Sequence, residues 1–412
     1  MRNKSVLPYH GICISLLISG ILLFGVKGAA QKHELDIFFD GVYDSNTLNN
    51  ELMNSFISGG FLDEEIKQRN VLSENINTRF GLILNTGFQY RFKPDSLFGS
   101  ADWGFSVGFQ DMTFVNGSVH QDMVKLALFG NAGFVGEHAF FSNSNLHYLS
   151  YQKLNLGLVN HKKGFDFSLG FIKGNDFARG KINEGFLYTE SDASHLRLNS
   201  DFEYMQSDSA DLSPTDFSGM GVSLDFNYYI DIDKSAFTNG AMTLEFSVRD
   251  LGFIYWNEGL RNDFEVDETF EGLQINGLDL DNIELQGTNV VDSIQNSLTP
   301  GDFITPTPAL IQMYLRPRGE VKKIQPEILI NHRFVANYRP FIMAGAYYRF
   351  TEKFATSLRF AQGGYGNSRG GFALFYNLNN NFTFELHSHN VIGMAYNRAS
   401  GGALSLLIRS RF

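Results

Sequence analysis

The chain has 412 residues, 14 % of them aromatic, with 41 glycines, only 9 prolines and a net charge of −11. So few prolines exclude a disordered Pro-rich chain, and a slightly negative mean hydropathy excludes a bundle of membrane-spanning helices. The acidic balance leaves no electrostatic reason to bind nucleic acid, and the aromatic- and glycine-rich composition favours one large β-barrel, whose membrane character hides in alternation, over several soluble domains.

The first thirty residues read as a secretion leader. Arg2 and Lys4 precede an apolar stretch from Ile12 to Val26, about 15 residues, which suits a signal core and is short for a membrane span. Gly28-Ala29-Ala30 supplies small residues for a signal peptidase, so cleavage is expected after Ala30. Loss of Arg2, Lys4 and Lys27 would take the net charge from −11 to −14. The single cysteine, Cys13, lies inside the leader, preceded by His10-Gly11-Ile12, which makes no lipoprotein box. The mature chain then has no disulfide and no thiolate for a metal.

Residues 31–74 are expected to form a periplasmic or plug-like segment. Leu52, Phe56 and Ile66 fall near helical spacing within Leu48 to Arg69. From residue 75 to 412 period-two patterns dominate, and such alternation places successive side chains in two different environments. Phe80, Leu82, Leu84, Phe88 and Tyr90 oppose Arg79, Asn85, Gln89 and Arg91. Leu196, Leu198, Phe202 and Tyr204 oppose Arg197, Asn199, Asp201 and Glu203. Val222, Leu224, Phe226, Tyr228 and Ile230 oppose Ser223, Asp225, Asn227, Tyr229 and Asp231. Met242, Leu244, Phe246 and Val248 oppose Thr243, Glu245, Ser247 and Arg249.

Many of these runs reach about ten residues, enough to cross a bilayer at a tilt. Short polar breaks at Asn160 to Gly164, Asn337 to Pro340 and Asn379 to Asn381 separate them. The fold class expected is all-β: a transmembrane antiparallel barrel of roughly 14 strands, within about 12 to 16, with a short N-terminal helical segment. Its polar inner face would be lined by Arg197, Asp225, Glu245, Arg249, Arg359 and Arg409.

Ser247 to Asn257 reads SVRDLGFIYWN. Through Asp250, Leu251, Gly252, Phe253, Ile254 and Trp256, and through Gly219-Met220-Gly221 ahead of an alternating strand, the chain resembles an uncharacterised family of outer-membrane barrels from Bacteroidota, the domain of unknown function 5723. The resemblance implies a barrel distantly similar to long-chain fatty-acid transport porins and to barrel subunits of a secretion system, and no known activity. Physically, Tyr255 and Trp256 suit a headgroup zone, and Asp250 is expected to face away from lipid or to sit at a bulge beside Gly252.

Asn262 to Thr299 is a long acidic insertion, expected as an outer loop. Its Asp279, Asp281 and Glu284 lack the spacing and turn glycine of an EF-hand. The glycine-rich run Gly363 to Gly371 lacks a phosphate loop's Lys-Ser/Thr and reads as a hairpin connection. Glu385, His387 and His389 alternate along one strand, the weak candidates for a metal, with a polar lumen lining bonded to Arg359 or Arg409 as the plainer reading. No G-x-S-x-G or other nucleophile motif marks an enzyme, and no cofactor is expected.

The last strand places Leu404, Leu406, Ile408 and Phe412 on one face and Ser405, Arg409 and Arg411 on the other. A terminal alternating strand ending on an aromatic resembles the signal read by barrel-assembly machinery. The expected setting is therefore the bacterial outer membrane, with lipid and that machinery as partners. The expected role is a transport or channel barrel for a small or hydrophobic solute; a scaffold bound to an envelope protein partner is the alternative.

Overall fold

The computed structural model describes residues 32–71, 77–208, 217–233, 241–271, 284–285, 288–289, 297–318, 324–379 and 381–412. The leader, Cys13 and the acidic pair Asp279 and Asp281 lie outside them.

In chain order the elements are β1 (His33–Ser45), α1 (Asn50–Ser58), α2 (Glu64–Arg69), β2 (Thr78–Phe92), β3 (Trp103–Val119), α3 (Gln121–Phe129), β4 (His138–Phe140), β5 (Ser144–Asn160), β6 (Phe165–Thr189), β7 (His195–Gln206), β8 (Gly219–Ile232), β9 (Met242–Trp256) and β10 (Leu260–Glu271). The small β11 (Glu284–Leu285) and β12 (Thr288–Asn289) pair with each other. Then come β13 (Thr299–Pro300), β14 (Phe303–Pro306), β15 (Leu310–Pro317), β16 (Gln325–Arg333), β17 (Arg339–Arg349), β18 (Phe354–Gly364), β19 (Arg369–Asn379), β20 (Phe382–Ser388), α4 (Val391–Ala395) and β21 (Gly402–Arg411).

The wall is a closed antiparallel barrel of 14 strands. It runs β1-β2-β3-β5-β6-β8-β9-β15-β16-β17-β18-β19-β20-β21 and returns to β1, where Glu34 faces Arg411 and Tyr43 faces Gly402. Closure satisfies the backbone groups that open edges would leave unpaired. Alternation sorts the side chains. On β18, Leu358 and Phe360 are 70 % and 57 % exposed, while Arg359 between them is 6 % exposed. On β5, Leu154 is 45 % exposed and its neighbour Lys153 only 1 %. Such an apolar belt around a closed wall is what a bilayer solvates and water does not. No helix among the described residues is long and apolar enough to cross a membrane.

The two ends of the barrel differ. The end that carries His33 and Phe412 is joined by short connections such as 161–164 and 350–353, with Gly164 at a positive φ of 64° in the first. Helices α1 to α4 lie in connections at the opposite, loop end. The expected division at residue 74/75 does not hold. β1 is a wall strand, paired on both sides, and the barrel begins at His33. The helical spacing between Leu48 and Arg69 forms two helices in the β1–β2 connection. Asn49 caps α1 by accepting from the Leu52 N–H at 2.9 Å, and Asp63 caps α2 by accepting from Ile66 at 2.8 Å. Leu52 and Ile66 pack there against Val124 and Leu128 of α3.

A second departure concerns β6 and β7. The first part of β6 pairs with β8 in the wall, and its second part continues past the rim to pair with β7. β10 pairs with the far side of β7, so the first residues of the acidic insertion form a strand and not a loop. The apolar face of this extension is covered by Phe134, Ala139 and Phe141 against Leu187 and Leu196.

The last strand yields the first prediction. Arg409 and Arg411 reach inward to acids of β1, which leaves Leu404, Leu406 and Ile408 on the outer face. An arginine on the lipid face costs about 2–4 kcal/mol near the midplane. Leu406→Arg should therefore lower the folded fraction, measured by heat-modifiable gel mobility in the membrane fraction, much more than Ser405→Arg. Deleting Phe412 should also lower it, because its ring stacks on His33 at 5.3 Å and its backbone exchanges two bonds with that residue. Equal folding of the two arginine variants would show the register to be wrong.

Candidate functional site in the barrel lumen

The inner face is built from the polar members of each alternating run. Near the terminal end, Arg91 on β2 donates to Glu34 at 2.9 Å and Asp36 at 2.8 Å, and lies 3.6 Å from Asp166. Arg409 holds Asp36 from the other side at 2.7 Å, and Arg411 holds Glu34 at 2.7 Å. Register explains this network: Arg91 faces Glu34 across β1–β2, and Asp36 faces Arg409 across β1–β21.

Deeper in the lumen, the Lys153 ammonium sits 2.9 Å from Asp225 and 2.5 Å from Asp250. A bulge makes this possible. Leu224 pairs with Leu251 and Phe226 with Val248, so Arg249 and Asp250 together oppose Asp225. Asp250 takes a positive φ of 55°, and its N–H donates to Asp225 at 2.7 Å. Two successive side chains thereby point inward, and the phase of β9 changes beyond them. A buried lysine needs such partners, since an uncompensated charge at this depth costs several kcal/mol.

On the far wall, Arg359 donates to Glu327 at 2.6 and 3.0 Å, and the Tyr314 hydroxyl donates to the same carboxylate at 2.8 Å. Ser357 bonds it as well. Glu245 is held less closely. It lies 3.7 Å from Arg249 and 3.7 Å from Arg316, both of which keep much of their surface exposed to the lumen.

Towards the loop end the lumen becomes apolar. Met112, Phe114, Leu149, Tyr151, Ile172, Phe177, Ile254, Trp256, Phe303 and Tyr365 form one buried cluster. Trp256 lies over Gly174 and Gly219, where an added Cβ would stand 2.7 Å from the indole in each case. Tyr365 lies over Gly81 in the same way, at 2.2 Å. Connections reach in to complete the layer. Asn116 donates to the carbonyl of Ala336 at 3.0 Å, Asn337 to Asn145 at 3.2 Å, and the rings of Tyr338 and Tyr365 meet edge-on at 5.2 Å. Burial pushes the Tyr338 phenol up to about 12 and Tyr365 higher still, so both remain neutral. Asp44 pairs with Arg369 and accepts from the Gly366 N–H at 2.9 Å, which pins the β18–β19 turn to the end of β1.

The structure places Asp225, Glu245, Arg249, Arg359 and Arg409 in the lumen, but not Arg197. That residue lies on the extension, 53 % exposed and 3.1 Å from Asp267 of β10. Trp256 is also corrected: it is fully buried and donates to Thr305 at 2.8 Å, whereas Tyr255 faces outward. Asp250 stands at the bulge, two residues before Gly252, with Leu251 and Phe253 outward and Ile254 inward. The three metal candidates do not converge. His387 bonds Arg359 through Nδ1 at 2.8 Å and Glu385 through Nε2 at 3.1 Å, while His389 packs on Phe341. No group of three metal-binding side chains forms among the described residues. Lys153, Asp36, Glu327 and Arg316 were not singled out from sequence, although Lys153 and Asn155 alternate with Leu154 and Leu156 in the same way.

No curated protein matches the sequence. Solved structures with a similar trace are barrels. The toluene transporter TodX of Pseudomonas putida aligns over 93 % of this chain and 89 % of its own, with 9 % identity and a TM-score of 0.37. The toluene transporter TbuX of Ralstonia pickettii aligns over 93 % and 90 %, with 10 % identity and a TM-score of 0.36. The translocator domain of the autotransporter NalP of Neisseria meningitidis aligns over 98 % of each chain, with 6 % identity and a TM-score of 0.34. A family model matches residues 17–386, nearly the whole barrel, and the chain accordingly belongs to the family of unknown function DUF5723.

Proposed function

We propose that this protein is an outer-membrane barrel that moves a small or hydrophobic solute, exported with its leader removed after Ala30 and assembled by machinery that reads the last strand. The observation that carries this reading is the division of the lumen into two zones. Arg249 and Arg316 keep 48 % and 38 % of their side chains exposed although the wall surrounds them, so the zone holds solvent. Above them Phe114, Ile254 and Trp256 are fully buried, so the loop end is closed by apolar side chains and two inward turns. A purely structural barrel has no use for a solvated charged vestibule that ends at a dry layer.

The test is solute uptake and conductance in proteoliposomes, for the wild type and for Gly81→Leu. The larger side chain must displace Tyr365 and so loosen the layer without touching the charged zone. Conductance should rise several-fold over wild type while heat-modifiable folding persists. A folded Gly81→Leu barrel that passes nothing more than empty vesicles do would overturn the transport reading.

One observation favours the alternative of a scaffold that binds an envelope protein. β7 covers one edge of β10 from Leu260 to Glu271, but among the described residues β13 covers the other edge only at Leu260 and Arg261. A strand edge of that length can accept a strand from a partner. Affinity purification from gently solubilised membranes should then recover a stoichiometric protein, and a proline at Val266 should release it. Recovery of the barrel alone would remove this reading.

A further inference from the structure

Several lumenal cations are neutralised at close range, whereas buried Arg333 donates to the Pro308 carbonyl at 2.7 Å. Arg91 touches Glu34 and Asp36, Arg409 touches Asp36, Lys153 touches Asp225 and Asp250, and Arg359 touches Glu327, all within 2.9 Å. Arg249 and Arg316 differ. They share the single carboxylate of Glu245, each at 3.7 Å, beyond hydrogen-bonding reach. They are also far more exposed than Arg91, Lys153 or Arg359.

Their positions follow from the strands. Glu245 and Arg249 lie on the inner face of β9, and Arg316 pairs with Thr243 from β15. Tyr229 on β8 stands opposite Glu245 in register, and its hydroxyl has no hydrogen-bond partner among the described residues. The surrounding acids are occupied: Asp225 by Lys153, Glu385 by His387, and Asp40 by the Asn85 amide at 3.3 Å. Two guanidiniums and a phenol thus present unused donors to a solvated space that holds one loosely held carboxylate. Guanidinium donors that no carboxylate engages at hydrogen-bonding distance select an oxyanion.

We infer that Arg249, Arg316 and Tyr229 form a lumenal station for an oxyanion, the carboxylate of a small organic acid or a phosphate. This rests on the transport reading and names the charge of its solute. A carboxylate or phosphate would take the planar fork of each arginine, the contact that Glu245 fails to complete with either.

The experiment is titration calorimetry on the purified full chain in detergent, with benzoate, inorganic phosphate and neutral benzamide as probes. Benzoate should bind, benzamide should not, and Arg249→Gln or Arg316→Gln should each weaken benzoate by about tenfold. Arg316→Lys should restore part of the affinity, and rising salt should weaken it in the wild type. Phosphate binding with no benzoate binding would keep the oxyanion station and change the source of the anion. Equal affinity for benzamide and benzoate, or indifference to both glutamine substitutions in barrels that remain heat-modifiable, would overturn the station. Uptake through Gly81→Leu is measured separately, so a failed station with intact uptake stays distinguishable from a barrel that moves nothing.

Discussion

The pairing of the first strand with the last is the contact on which the rest of the molecule depends. Two backbone bonds of 3.0 Å join His33 to Phe412, and the ladder continues from Glu34–Arg411 to Tyr43–Gly402. A strand inside lipid has no water to satisfy its N–H and C=O groups, so a single open seam would expose two edges at once. Side chains reinforce the seam from within. Arg409 and Arg411 come from β21, Asp36 and Glu34 from β1, and Arg91 from β2 binds both acids. The seam is therefore built from residues nearly 400 positions apart, and no local preference could form it first.

Once the wall is closed, every inward polar group must find its partner inside a narrow space. Lys153 is the extreme case, with two aspartates from two other strands. Ordinary alternation on β9 would put only one of Arg249 and Asp250 inward. The bulge supplies both, at the cost of a left-handed backbone at Asp250. The same irregularity sets the character of the lumen above. After the bulge Ile254 and Trp256 point inward and Leu251 and Phe253 outward, so one extra residue selects which apolar side chains of this strand enter the lumen.

This explains which parts of the fold were legible in the sequence. Alternation over β8, β9, β20 and β21 identified wall strands and assigned Asp225, Glu245, Arg249 and Arg409 to the correct face. Alternation shows that a strand has two faces, not what covers each of them. Arg197 sits in a run as regular as that of β8, but its apolar face packs on Phe134 and Phe141 from a distant connection and not on lipid. Trp256 was misplaced because an aromatic at a strand end suits a headgroup zone equally well, and the phase change at Asp250 depends on how β8 meets β9. β1 carries the same signal, with Leu35, Ile37 and Phe39 opposite Glu34, Asp36 and Asp40. It was hidden by the helices that follow it. Its partners lie at the far end of the chain, where a local pattern gives no information.

The apolar layer is assembled differently from the charged zone, and that difference bears on motion. The charged zone belongs to the wall: Arg91, Lys153, Glu327 and Arg359 all stand on strands whose ladders would have to break before they could move. The layer takes Tyr338 and Tyr365 from connections and holds them with side-chain contacts, Asn116 to Ala336, Asn337 to Asn145 and Asp44 to Arg369. Releasing those few contacts would shift the turns without disturbing a wall ladder, and such a change lies within the free energy available to a ligand or a partner. The α1 end of the β1–β2 connection is tied to the β20–β21 connection in the same manner, through Asn50 to Gly401 at 2.9 Å and through backbone bonds to Asn397 and Ala399. The loop end is thus a set of cross-braced connections over a rigid ring. The part of the molecule that closes the lumen is the part that can yield while the barrel stays intact.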